Sequence, residues 1–337
     1  MAASSLPPTQ DQIAPSALDL RPLSTSQLID RGFALYRSNF TGLFLLALLC
    51  QIIPLATSEA LLAGTRLLPS GGSLLERPNP DLAHAGIVLA IWVLCQLITF
   101  CFEVVLTLYL SDAYLGRVPS IKAGLLRLRG LVGASIKTSL LNILLITLTL
   151  IFPFLAFAAI YLVGLLHPPQ GFGALIVLLA LALVLLVASV VPLLIVFMRL
   201  MVTVPAVTLE GLSGWQAVKR SSALVRYDPG LGFMYWGEMR LSFLLLPLFV
   251  IELLALFVTS LPLTLHQIND FLRHGALGQV SAPPDAAYIV SQILVLLSGA
   301  LLMPLYLIAT TLFYYDVRIR REGFDLEFLA SQVGERP

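Results

Sequence analysis

The fold class predicted by the sequence is an all-α integral membrane protein with six transmembrane helices, and three observations predict it. Of 337 residues, 58% are apolar and only 12% are Asp, Glu, Lys or Arg, with a mean hydropathy of +0.93. Soluble domains carry about 25% charged residues, so this chain has too little charge to cover a water-facing surface. Six stretches, near 41–63, 86–110, 139–166, 171–198, 241–261 and 287–313, are apolar over the ~20 residues that cross a bilayer. Finally, the basic residues collect on alternate connections. Seventeen Lys and Arg lie before the first span, in the 111–138 and 199–240 connections and after the last span, against Arg66, Arg77 and Arg273 on the other side. Basic loops stay on the cytoplasmic side. The expected localisation is therefore the bacterial cytoplasmic (inner) membrane, multi-pass, with both termini in the cytoplasm.

In chain order, residues 1–22 are rich in Ser, Pro and Gln and lack the basic start and apolar middle of a signal peptide; they read as a disordered cytoplasmic tail. The membrane domain is expected over 23–316. It opens with Ser24 and Gln27 at capping-box spacing. Ile29, Phe33, Tyr36 and Phe40 then recur at i, i+4, i+7 and i+11, the pattern of an amphipathic helix lying on the inner leaflet. Pro54, Pro153, Pro192, Pro247 and Pro304 fall inside five of the spans, where each removes a backbone donor and is expected to kink its helix. Residues 317–337 are expected to form a charged cytoplasmic tail, and from Asp316 onward Asp316–Arg320, Arg318–Glu322 and Arg321–Asp325 are spaced to pair at i, i+4.

The entry pattern recurs. Gln, Arg, Leu and Arg stand 3, 7, 11 and 13 residues after Ser24 and again after Ser213, while Ser120 keeps only Arg127 and Leu131. Each copy precedes two spans. The expected architecture is thus three parallel units of interfacial helix, span out and span back, related about an axis along the membrane normal.

Three stretches carry a family resemblance: LSTSQLIDRGFALYRSNF (23–40), PAVTLEGLSGWQAVKRSSALVR (205–226) and YDVRIRREGFDLEFL (315–329). They resemble the glycerophosphoryl diester phosphodiesterase membrane-domain family and related uncharacterised bacterial inner-membrane proteins. The resemblance implies a multispan membrane domain that is sometimes fused to a catalytic barrel and often stands alone. A (β/α) barrel needs roughly 200–250 residues beyond the spans, so here the membrane part is expected without the catalytic one. After Leu224-Val225-Arg226 the chain departs from the pattern, with Tyr227-Asp228-Pro229-Gly230 bringing a turn and little basic charge. That argues against nucleic acid as a partner.

Catalytic equipment is not visible. His84, His167, His266 and His274 stand singly, the apolar settings of Cys50, Cys95 and Cys101 imply neither a disulfide framework nor a thiolate cluster, and no HExxH, Walker loop or Gly-x-Ser-x-Gly elbow occurs. No cofactor or metal is expected. The residues that invite a function are acids in hydrocarbon, Glu59, Glu103 and Glu252. Helix rise places them roughly 27, 10 and 17 Å from the cytoplasmic end, in different layers, with Gln51 and Gln96 bracketing Glu252 at about 15 and 21 Å. Gln96, Thr99, Glu103 and Thr107 make a polar stripe on the second span. Two roles fit Gln51, Gln96, Glu103 and Glu252: hydrogen bonds between helices, at roughly 0.6 kcal/mol each, or a polar intramembrane pathway for protons, ions or a head group. At the surface, Arg31, Arg127, Arg220, Arg318 and Arg320 are candidates for anionic lipid head groups or a protein partner, the first three as a ring under the repeat axis.

The leading functional expectation is a non-enzymatic membrane scaffold or regulatory domain in contact with lipids, a partner protein or a second copy. The alternative is a transporter or lipid-handling protein built around Glu252. A dry packed axis favours the scaffold; a wet cavity reaching Glu252 favours transport.

Overall fold

A computed structural model describes residues 21–66, 82–166, 171–226, 237–274, 285–324 and 326. The N-terminal tail, the Tyr227–Gly230 turn and Asp325 with most of the C-terminal tail lie outside them, as do the side chains of Glu59, His84 and His274 and the whole of His167. Every regular element among the described residues is a helix: α1 (Thr25–Ser38), α2 (Phe40–Arg66), α3 (Leu82–Tyr114), α4 (Ile121–Leu166), α5 (Phe172–Leu200), α6 (Thr203–Glu210), α7 (Trp215–Val225), α8 (Gly237–His274) and α9 (Asp285–Glu322). Six of them, α2–α5, α8 and α9, are long and apolar enough to cross a membrane, so the chain is a multi-pass membrane protein.

The capping box forms as spaced. Ser24 Oγ accepts the Gln27 amide at 3.3 Å, and the Ser24 amide donates to Gln27 Oε1 at 3.0 Å. The face of α1 that docks on the bundle lies beside the stripe expected to meet the leaflet. Leu28 and Gly32 are buried while Phe33 and Phe40 stay exposed. Gly32 permits this, since a Cβ there would lie 3.3 Å from the Ile308 side chain of α9.

Two boundaries differ from expectation. α4 runs unbroken from Ile121 into the membrane, so its entry segment and span are one helix; no glycine with a positive φ or proline interrupts residues 121–152. α9 continues through Glu322 and stops at Gly323, whose φ of 65° ends the helix. Arg318, Arg320 and Arg321 therefore belong to its last turns and not to a tail.

Neighbouring helices pack as α2 on α3, α3 on α4, α4 on α5, α8 on α9 and α9 on α2, with α5 and α8 closing the ring most loosely. At the basic end α9 sits at the centre. Residues Leu307 to Val317 are all buried, surrounded by α1, α2, α3, α6, α7 and α8. A helix buried on every side is a bundle's hub. The far half of the α4–α5 hairpin is the opposite case: Phe152, Phe154, Leu155 and Phe157 on α4 and Val177, Leu179, Leu183 and Val184 on α5 are all exposed, apolar surface that a bilayer covers.

Candidate functional site: a polar cavity between the spans

The ring borders a partly open cavity of about 660 Å³, reached by side chains from all six spans and from α6. α3 supplies Gln96, Thr99 and Glu103; α2 supplies Gln51; α8 supplies Glu252 and Thr259; α9 supplies Ser298, Tyr306 and Thr310; α4 supplies Ser139 and Asn142. Apolar walls come from Phe100, Ile143, Ile146, Phe197, Leu256 and Leu302 among others.

The four nominated residues, Gln51, Gln96, Glu103 and Glu252, therefore meet in one space. Depths counted along separate helices place Glu103 and Glu252 in different layers, about 7 Å apart, but that is little more than one 5.4 Å helical turn. A cavity this tall spans it. Thr107, the last member of the polar stripe, is fully buried and is not among the lining residues.

Local contacts hold the polar groups in place. The Tyr306 hydroxyl donates to Glu252 Oε2 at 2.6 Å, while Glu252 stays exposed to the cavity. Gln51 occupies the space a side chain at Gly299 would need, and a Cβ there would meet its amide at 2.8 Å. Its Nε2 reaches Met303 Sδ at 3.8 Å. Asn142 donates to Thr203 Oγ1 at 3.0 Å, and Thr203 donates to the Leu200 carbonyl at 2.6 Å. Asn142 Oδ1 and Thr99 Oγ1 are buried without a protein partner. Such atoms cost free energy in a dry interior.

Tyr306, Asn142 and Thr310 did not stand out in the sequence. Gly299, Leu302, Tyr306 and Thr310 recur at i, i+3, i+7 and i+11, the same stripe rule that singles out α3, yet α9 has apolar residues on nearly every other face. Ser139 and Asn142 are spaced i, i+3 in a helix whose entry and span run together.

The nominated arginines have a different fate. Arg127 Nη1 grips both oxygens of Asp112, at 3.1 and 3.0 Å. Arg220 lies between Glu210 on α6 and Glu322 on α9, with contacts of 2.9 and 2.6 Å. Hydrogen bonding to Glu322, then to Glu210, holds its guanidinium charged above even the usual arginine range. Arg318 reaches Glu322 at 2.9 Å, and the Tyr314 hydroxyl closes the cluster on Glu210 at 2.7 Å. Arg320 pairs with Asp316 at 2.9 Å, and Arg31 stacks 4.9 Å from the Tyr114 ring centre. All five thus have partners within the chain, which runs against a free arginine ring under an axis. The expected pairs Asp316–Arg320 and Arg318–Glu322 both form. Arg321 instead caps α7, donating to the Ala223 and Arg226 carbonyls, and its expected partner Asp325 lies outside the described residues.

Asp316 does more than pair with Arg320. Asp316 is the most enclosed ion of the basic end, with its side chain 1% exposed. It accepts the Leu23 amide at 2.8 Å and pairs with Arg240 at 2.8 Å, while Arg240 and Arg320 both donate to the Leu23 carbonyl. Its nearest sequence partner masked the role, since an i, i+4 pair looks like surface charge.

Compared with protein-family models, curated proteins and solved structures, the chain matches none.

Proposed function

We propose that this chain is a membrane transport or lipid-handling protein whose ligand occupies the cavity around Glu103 and Glu252. The observation that carries the proposal is the cavity itself: polar side chains from five of the six spans, all but α5, line one space of about 660 Å³. That volume falls in the range of sites for small molecules, roughly 300–1,000 Å³. A scaffold needs only a dry axis, for which ionisable groups in hydrocarbon are a cost without return.

Within this reading the basic end faces the cytoplasm of a bacterial inner membrane, as the distribution of Lys and Arg supports. Helices α1 and α7 lie at that interface, and anionic head groups meet the exposed Lys122, Arg129, Lys137 and Lys219 in place of the engaged arginines. The three-unit repeat is part of the proposal. At the end of each returning span an acid is gripped from another segment: Asp112 by Arg127 and Glu210 by Arg220, which follow in the chain, and Asp316 by Arg240 and the Leu23 backbone, which precede it. Kinship with the glycerophosphoryl diester phosphodiesterase membrane domains is proposed on the same ground, because Glu210, Arg220 and Asp316, all in the resembling stretches, build this lock.

The test is native mass spectrometry of protein held in nanodiscs drawn directly from its membrane. The wild type is expected to release a small molecule or lipid that Ala255→Trp, which places an indole in the cavity, does not retain. Equal bound species in both, with Ala255→Trp folded by circular dichroism, would leave the scaffold as the better account.

A further inference from the structure

We infer that the cavity takes an amphipathic organic cation: an ammonium-type group on an apolar body, bound in exchange for protons. This deepens the ligand-handling reading above and rests on it.

The argument begins with charge. Among the described residues the lining contains two carboxylates, Glu103 and Glu252, and no Lys, Arg or His. The bases of the chain are used at the basic end, where Arg127, Arg199, Arg220, Arg240, Arg318 and Arg320 pair with acids outside the cavity. An ionised carboxylate within a low-dielectric membrane interior is strongly unfavourable without a counter-charge. The protein supplies none, so the charge is met by a proton or by a cation that enters. An anionic head group finds no base in this lining and is repelled by either carboxyl once it ionises.

Shape narrows the class. No group of three or more His, Cys, Asp or Glu capable of holding a metal ion occurs among the described residues. The cavity walls are largely apolar, Phe100 and Phe197 among them, and suit the apolar body of an organic cation. A bare hydrated ion makes no use of such walls. Tyr306 keeps the Glu252 carboxylate oriented by its 2.6 Å hydrogen bond, leaving one oxygen for the incoming charge.

Proton exchange follows from the same inventory. The titratable groups facing the cavity are Glu103 from α3, Glu252 from α8 and the Tyr306 phenol from α9; the lining from α2, α4, α5 and α6 is not ionisable, and the Cys50 thiol of α2 stands near Glu103 behind it. Each positive charge bound to a protonated carboxyl releases one proton, and raising the proton concentration drives the cation off.

The experiment uses the whole protein in phosphatidylcholine nanodiscs. Ethidium, a fluorescent organic cation, is titrated beside 8-anilinonaphthalene-1-sulfonate, an aromatic anion. Saturable ethidium binding is expected at pH 8 and at least tenfold weaker binding at pH 5. Glu252→Gln is expected to weaken it tenfold or more at pH 8 and to flatten the pH dependence. Tyr306→Phe keeps the charge and is expected to lose far less, which separates a lost carboxylate from a damaged fold. Ethidium binding unchanged by Glu252→Gln and by Glu103→Gln would overturn the inference, as would an anion that binds more tightly and is excluded by Ala255→Trp. If neither probe binds but Ala255→Trp still displaces an uncharged native ligand, the cation assignment fails and the cavity reading stands. If Ala255→Trp displaces nothing, both fail.

Discussion

Replacing Asp316 with Asn tests the lock at the basic end. The substitution preserves shape and leaves Oδ1 to accept the Leu23 amide, but removes the negative charge facing Arg240 and Arg320. The Arg240 side chain is only 11% exposed, so its charge stays buried without a counter-ion. Breaking one side of a buried pair costs about 3–5 kcal/mol. The Leu23 carbonyl still accepts from Arg240 at 3.1 Å, which puts the expectation at the lower end, about 3 kcal/mol. Asp112→Asn is the internal standard. Its partner Arg127 is 49% exposed and can turn to water, so a loss of only about 1 kcal/mol is expected. The assay is reversible unfolding in mixed micelles followed by helical circular dichroism. Adding Arg240→Met to Asp316→Asn is expected to recover most of the loss, because the unpaired charge goes with it. Equal costs for Asp316→Asn and Asp112→Asn would refute the reasoning, since burial would then not set the energy.

Glycine substitutions separate rigid from yielding contacts in the same unfolding assay. At Gly237 a Cβ would lie 2.5 Å from the Val225 carbonyl oxygen; backbone cannot step aside, and Gly237→Ala is expected to cost about 1–3 kcal/mol. Gly299→Ala meets only the mobile end of Gln51 and is expected to cost under about 1 kcal/mol, so a larger loss would show Gln51 to be fixed. Ser24→Ala removes the α1 cap and is expected to lose about 1 kcal/mol, with Ser24→Gly losing less; identical losses would count against the cap. For orientation, Val118 is 90% exposed at the basic end, and Val118→Cys is expected to react with a membrane-impermeant maleimide in inverted vesicles but not in intact cells. The reverse result would turn the protein over.

The six spans were legible because hydrocarbon sets a length and an apolarity that no other environment demands, and the capping box because Ser24 and Gln27 act within one turn. The polar residues of α2, α3 and α8 were legible for the same reason: in a membrane a Gln or Glu advertises itself. What stayed hidden depends on which helices meet. Asp316 reads as a partner of Arg320 until the fold brings Leu23 to it across 293 residues. Arg127 and Arg220 read as free surface bases until α3 and α6 present acids. Counting rise along separate helices also divided Glu103 from Glu252, because it fixes depth but not which walls face one space. The docking of α1 on α9 at Gly32 stayed hidden too, because a glycine is invisible to hydrophobic periodicity.

The position of α9 also bears on how the molecule is made. A chain emerging from the ribosome supplies α1 first and α9 last, yet α9 is the helix around which the basic end closes and Asp316 the residue that fastens Leu23. Until those late residues arrive, the first hairpins stand in the bilayer with Gln51, Gln96 and Glu103 lacking the walls that enclose them. The nascent protein is therefore expected to depend on whatever shields polar helix faces during insertion, and to commit to its final shape in one late event instead of unit by unit.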